Sequence, residues 1–209
     1  MTKRGGVFCL ETSWADDGKD MADPASVEQT LRMLESAAEC GKVIHRDVAT
    51  QEEFVNYMKE WRKKKYDAYP LAYLAFHGVR GGLGIGDIDL TFDDLTAIIG
   101  PGKARGRILY FGSCSTMAVD EDKLKTFCAE TGATAIVGYT RRIGWLESAA
   151  FDCLLVPKLL GATFMKPVFT GLKKDYPDFV YRLGLRIATA RFATPRKIAA
   201  EAATASSLA

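Results

Sequence analysis

The residues best suited to chemistry in this chain are one histidine and one cysteine, each delivered by a short apolar run. Leu71-Ala72-Tyr73-Leu74-Ala75-Phe76 leads into His77-Gly78, and Ile108-Leu109-Tyr110-Phe111-Gly112-Ser113 leads into Cys114-Ser115. A thiol becomes a strong nucleophile when a nearby imidazole takes its proton or holds the thiolate. The chain has two histidines, His45 and His77; both precede Cys114 and none follows it.

The two runs are too brief for helices and are bounded by turn formers, so each reads as a strand buried on both faces of a parallel sheet. In such a sheet ligands bind in the crevice beyond the carboxyl ends of the strands, where His77 and Cys114 would meet. Their separation of 37 positions is that of one crossover unit. Papain-like proteases and class I amidotransferases place Cys before His, so chain order excludes them.

The rest of the chain supplies the scaffold. Residues 6–10 read as a first strand, followed by a polar loop through Asp16, Asp17, Asp20 and Asp23. Ser26 with Gln29 suggests a capping box, opening a helix through Val27, Leu31, Leu34 and Ala38 that Gly41 ends. Residues 42–48 form the next strand, and Thr50 with Glu53 a second capping box, for a helix buried along Phe54, Met58 and Trp61. The glycines of 81–86, followed by Asp87-Ile88-Asp89-Leu90, suggest a hairpin; they lack the Lys-Ser/Thr ending of a phosphate loop. Thr91 caps a short helix that stops at Gly100. Leu124, Phe127 and Cys128 mark a helix ended by Gly132, 133–139 another strand, and 146–160 another helix containing Pro157. Further on, 164–174 reads as a helix, 179–187 as a final strand, and 199–209 as an alanine- and serine-rich tail of a composition compatible with disorder. This alternation predicts an α/β fold, a three-layer α/β/α sandwich with a mostly parallel sheet, over residues 1–194, with 195–209 as the tail.

Composition narrows the function classes. With 209 residues, 48% of them hydrophobic, the chain is globular and can bury roughly 70% of its unfolded surface. Basic and acidic residues number 28 and 26, which gives no reason to expect nucleic acid or an anionic membrane as a partner. The first six residues are polar and the apolar run 7–10 is too short for a signal peptide. Five cysteines without a C-x-x-C pair argue against a disulfide framework or structural zinc. A cytoplasmic protein is expected.

Phe76-His77-Gly78 and Phe111-Gly112-Ser113-Cys114-Ser115-Thr116 resemble the caspase-like cysteine peptidases, most of all their CHAT and separase branch. Caspases proper carry Gln-Ala-Cys-x-Gly, and metacaspases an Asp two residues before the cysteine, where this chain has Gly112. The segment from Gly132 to Tyr139, then Trp145 and Phe151, is similar to the strand and helix that come after the CHAT cysteine. The resemblance covers roughly residues 7–160. It implies a caspase-like fold and a thiol endopeptidase needing no metal or cofactor, with Cys114 as nucleophile and His77 as the base. The N–H groups of Gly78 and Cys114 would form the oxyanion hole. Thr116 departs from the small residue that many relatives have there. The family also implies a protein substrate, control by an activating protein or ligand, and in bacteria companionship with defence effectors.

The specificity residues stay open. Glu147, near Trp145, falls where the separase branch reads a basic P1 side chain; Asp87, Asp89 and Asp120 are weaker candidates for that role, and Arg141 with Arg142 could read an acidic one. His45, Cys9, Cys40, Cys128 and Cys153 read as structural, and residues 62–65 as a solvated helix end. Rival readings are a catalytically inactive binding or scaffold module on the same fold and a small-molecule enzyme of flavodoxin-like architecture.

Overall fold

A computed structural model describes residues 4–14 and 25–196. The expected acidic loop through Asp16, Asp17, Asp20 and Asp23 lies outside these residues, as does the 199–209 tail. In chain order, β1 (Val7–Glu11) is followed by α1 (Glu28–Ser36), β2 (Val43–Asp47), α2 (Gln51–Trp61) and β3 (Leu71–Ala75). Three short strands come next, β4 (His77–Val79), β5 (Gly82–Ile85) and β6 (Ile88–Thr91), then α3 (Phe92–Ile99) and β7 (Ile108–Phe111). The chain continues through α4 (Glu121–Thr131), β8 (Ala135–Tyr139), α5 (Trp145–Gly161), α6 (Met165–Asp175), α7 (Pro177–Leu183), β9 (Leu185–Thr189) and β10 (Phe192–Ala193).

Seven strands form one sheet in the order β10-β9-β8-β7-β3-β1-β2, and β4-β5-β6 form a second. From β2 across to β8 all pairings are parallel, while β9 and β10 run antiparallel to their neighbours. Side chains alternate across each strand, so the sheet feeds two cores. Val7, Cys9, Tyr73, Tyr110 and Val137 pack with α1, α5, α6 and α7 on one face. Phe8, Leu10, Leu74, Phe111 and Ile136 pack with α2, α3 and α4 on the other. This is the expected α/β fold, a parallel-rich sheet between two helical layers.

Local chemistry sets most of the boundaries. The Thr50 hydroxyl accepts from Glu53 N–H and the Glu53 carboxylate accepts from Thr50 N–H, each at 3.2 Å, closing the capping box of α2. Thr91 and Asp94 do the same for α3, and Gly132, at φ 75°, ends α4. Three expectations need correcting. Ser26 and Gln29 form no capping box, because α1 starts at Glu28 and the Ser26 hydroxyl donates to Glu11 instead; Ala38 lies beyond the helix at φ 58°. The run 71–78 is not one strand: it breaks at Phe76, and His77 opens β4 of the small sheet. The stretch 179–187 is not one strand either. Pro177 starts a helix that buries Val180 and Leu183 three positions apart, and Gly184, at φ 66°, turns the chain into β9.

Two buried charges stitch the layers. Arg186, fully buried on β9, donates to the carbonyl oxygens of Thr194 at 2.9 and 2.7 Å, of Met117 at 2.9 Å and of Val119 at 2.6 Å. Asp152 on α5 accepts from the Tyr73 hydroxyl at 2.7 Å and from that of Tyr110, which also bonds Tyr139. Burial drives the Asp152 carboxyl up to about 7, with the two phenol hydrogen bonds pulling partly against it. Among the described residues no helix is long and apolar enough to cross a membrane.

The Asp152 shift has a defined consequence for stability. Its folded value lies above its unfolded one, so the folded state holds the proton more tightly and this contribution is lost as pH rises through about 7. Urea unfolding of wild type and Asp152→Asn from pH 4.5 to 8 should show wild type losing on the order of 3 kcal/mol relative to the variant. Parallel curves for the two proteins would contradict this assignment.

Candidate active site at the ends of two neighbouring strands

β3 and β7 lie side by side with Leu74 opposite Phe111, so their carboxyl ends finish together. Beyond them Gly112 N–H donates to the Leu74 carbonyl at 3.0 Å. The Ser113 hydroxyl donates to that same carbonyl and accepts from Phe76 N–H, both at 3.2 Å. One serine thus ties the exit of each strand to the other. Gly112 is required by contact rather than by a turn, since a Cβ there would sit 2.7 Å from the Tyr73 ring.

The two motifs meet backbone to backbone. A Cβ on Gly78 would lie 1.9 Å from the Cys114 carbonyl oxygen and 2.6 Å from the Cys114 nitrogen, so only glycine lets β4 rest on the cysteine's peptide. The turn around Cys114 is fixed from both sides. The Thr116 hydroxyl donates to the Gly82 carbonyl at 3.1 Å and Gly81 N–H donates to the Thr116 carbonyl at 3.0 Å, on the small-sheet side. On the other side Ser115 N–H donates to the Arg141 carbonyl at 3.0 Å and Met117 N–H to the Tyr139 carbonyl at 2.9 Å. Thr116 therefore has a structural task that a glycine there could not perform. Ser115 sits at φ 57°, a left-handed conformation that a non-glycine residue holds at a cost, of the kind that collects at functional sites.

Cys114 is half-buried and its sulfur accepts from Ile143 N–H at 3.4 Å. The Cys114 N–H has no partner among the described residues, which leaves it available to an oxyanion. The other four cysteines are set apart by burial, which raises Cys9, Cys153, Cys40 (to about 11) and Cys128 (to about 12).

His77 is exposed at the start of β4, and among the described residues its ring makes no hydrogen bond, to Cys114 or to anything else. It meets the Trp14 ring edge to face, with centroids 5.6 Å apart and planes at 73°. Such a pair contributes about 0.5–1.5 kcal/mol beyond its burial. Trp14 is a site residue that the sequence reading missed, and so is Glu11. The Glu11 carboxylate is buried at the end of β1 and accepts from Trp14 Nε1 at 2.6 Å, Ser26 Oγ at 2.7 Å, Val27 N–H at 2.8 Å and His45 Nε2 at 2.7 Å. Burial pulls Glu11 up, but hydrogen bonds from His45, Trp14, Ser26 and Val27 together hold it below its ordinary value; burial pulls His45 down, but its contact with the Glu11 carboxylate, with the nearby charges of Glu28 and Asp47, holds it above. His45 is structural, as its mid-strand position suggested. Glu11, His45 and Asp47 bring donor atoms within 4.8 Å of one another, but the Glu11 oxygens are already occupied by four donors.

The expected specificity residues are spread around this centre. Arg141 and Arg142 are exposed on the loop that reaches Cys114 through Ile143. Trp145 and Leu146 open α5 with exposed side chains, 41% and 75% accessible. Glu147 is paired with Arg182 of α7 at 3.1 Å, so its charge is partly answered from within the chain. Asp87 and Asp120 are exposed at the β5–β6 turn and just before α4. Asp89 is nearer His77: His77, Gly84 and Asp89 are register partners across β4, β5 and β6. The space above Gly84 lies 3.4 Å from an Asp89 oxygen and 3.6 Å from the His77 Cβ. A groove of about 340 Å³ along α2, lined by Gln51, Glu52, Val55, Asn56 and Lys59, holds no histidine or cysteine.

A protein-family model matches residues 5–184, a span holding β1 to β8, both motifs and all seven helices. The chain belongs to DUF6642, a family of unknown function. No curated protein matches this DUF6642 chain.

Substituting Gly78 should disturb the site directly. Gly78→Ala forces the cysteine turn away from β4, and urea unfolding should show a loss on the order of 3 kcal/mol. Alkylation of Cys114 should change with it, whereas Gly161→Ala, where a Cβ meets nothing within 4 Å, should alter neither.

Proposed function

We propose that this chain is a cysteine endopeptidase that cuts a protein substrate with a dyad of Cys114 and His77. The observation that carries the reading is the close packing of Gly78 on the Cys114 peptide, which brings the His-Gly and Gly-Ser-Cys motifs to one point at the carboxyl edge of the sheet. The Cys114 thiolate attacks the scissile carbonyl, and the N–H groups of Gly78 and Cys114 hold the resulting oxyanion. Collapse expels the amine, which takes a proton from His77, and leaves a thioester on Cys114. Water then hydrolyses the thioester as His77 accepts its proton, and the acid product departs. Removing one oxyanion donor costs on the order of a hundredfold in rate. No metal or cofactor enters this route.

The fit to a caspase-like peptidase of the CHAT and separase branch rests on the two motifs and on the parallel strands β3 and β7 that carry them. Trp145 and Arg141 flank the turn as substrate-binding residues, with Glu147 as the alternative reader of a basic P1 side chain. Five free thiols suit a reducing, cytoplasmic setting, and a protein or ligand activator suits this reading. The rival is an inactive binding or scaffold module on the same fold. It is favoured by the missing hydrogen bond between the His77 ring and Cys114, although such bonds often tighten only with substrate bound.

A panel of peptidyl acyloxymethyl ketones differing only at P1, read by intact-protein mass spectrometry, separates the two. A peptidase should give one adduct, on Cys114, at least about tenfold faster than at any other cysteine. Cys114→Ala should abolish it and His77→Ala slow it on the order of a hundredfold. An acidic P1 preference assigns Arg141, a basic one Glu147 or Asp89. Labelling no faster at Cys114 than elsewhere would favour the binding module.

A further inference from the structure

We infer that Trp14 is the positioning residue for His77, and that the buried Glu11–His45 pair exists at this place to hold Trp14; the inference rests on the peptidase reading of Cys114 and His77. An exposed histidine on a three-residue edge strand, opposite a glycine with no side chain to pack against, has two free torsions and no hydrogen bond to fix them. A catalytic base has to be held in one geometry. The ring contact that His77 makes is with Trp14.

Trp14 lies in an irregular segment after β1, where it packs partly against the core on the α1 and α5 face and donates its indole N–H to Glu11 at 2.6 Å. Glu11 cannot swing. Its carboxylate is held by Ser26, by the Val27 N–H at the start of α1 and by His45 on the neighbouring strand. Rigidity passes outward in three contacts, from a buried ion pair to an indole to an exposed imidazole. Sheet register makes this possible. Glu11 pairs with Ala75, and Thr12 N–H continues the ladder to the Ala75 carbonyl at 3.0 Å. Trp14, three residues past Glu11, therefore arrives beside His77, two residues past Ala75. Between β1 and β3 the sheet order also reverses, because β2 lies on one side of β1 and β3 on the other. That reversal opens the crevice in which α/β sheets take ligands.

With two histidines in the chain, the imidazole protons of His77 can be followed directly by NMR. In wild type they should be displaced by the Trp14 ring current. Trp14→Leu should return them to ordinary histidine positions and lower the rate of Cys114 acylation by a peptidyl ketone on the order of tenfold. Trp14→Phe, which keeps an aromatic ring but has no N–H to give Glu11, should also lose most of the displacement and of the rate, and it serves if the leucine variant folds poorly; a phenylalanine variant that holds both would overturn the part given to Glu11. Unmoved His77 signals in Trp14→Leu overturn the inference. So do moved signals with an unchanged rate, because the contact would then be structural only. A His77→Ala variant labelled as fast as wild type would instead remove the dyad itself, whatever Trp14 does to the spectrum.

Discussion

The contact between the Gly78 backbone and the Cys114 peptide is the constraint around which this molecule is arranged. It joins a small antiparallel sheet to a large parallel one at a separation no side chain would permit, and it does so where two neighbouring strands end. Around it are arrayed hydrogen bonds from Ser113 to the end of β3, from Thr116 to β5, and from Ser115 and Met117 to the end of β8 and the loop that follows it. A turn held from so many directions can keep Ser115 left-handed, a conformation that would relax in a less determined setting.

Buried charge is handled in three ways, each suited to its place. Arg186 is satisfied by carbonyl oxygens alone, which gives the cysteine turn a rigid floor with no dependence on any carboxylate's protonation. Asp152 faces phenols and yields to burial by rising toward neutrality. Glu11 stays ionised because four donors converge on it, and it is the one of the three connected to the exposed imidazole. Cost and compensation are local in each case, as burial of polar groups requires.

Much of this was legible in the chain. The alternation of apolar runs with capped helices fixed the layers, because capping boxes such as Thr50 with Glu53 and end signals such as Gly132 act within a few residues. Cys114 stood out because Gly112, Ser113 and Ser115 surround it where a core cysteine would have apolar neighbours, and His77 because it ends the other apolar run, where it could pair with Cys114. What escaped was non-local or competed with a stronger pattern. Ser26 has the right spacing for a cap, but its hydroxyl is claimed by a carboxylate fifteen positions earlier. Residues 179–187 look like one apolar strand until Pro177 and Gly184 are weighed as a start and a stop. Trp14 and Glu11 could not be joined to His77 from spacing alone, since the register of β1 on β3 decides the meeting.

The Arg186 floor also bears on where the working unit ends. The family match stops at residue 184, yet the side chain that braces Met117 and Val119 belongs to β9, and that arginine is itself held by the Thr194 carbonyl after β10. A polypeptide cut at the family boundary would keep every residue of the cysteine turn and lose its support from beneath. β9 and β10 therefore belong to the smallest unit that keeps the cysteine turn braced, and variation in them among members of the family should register as altered reactivity of the Cys114 thiol rather than only as altered stability.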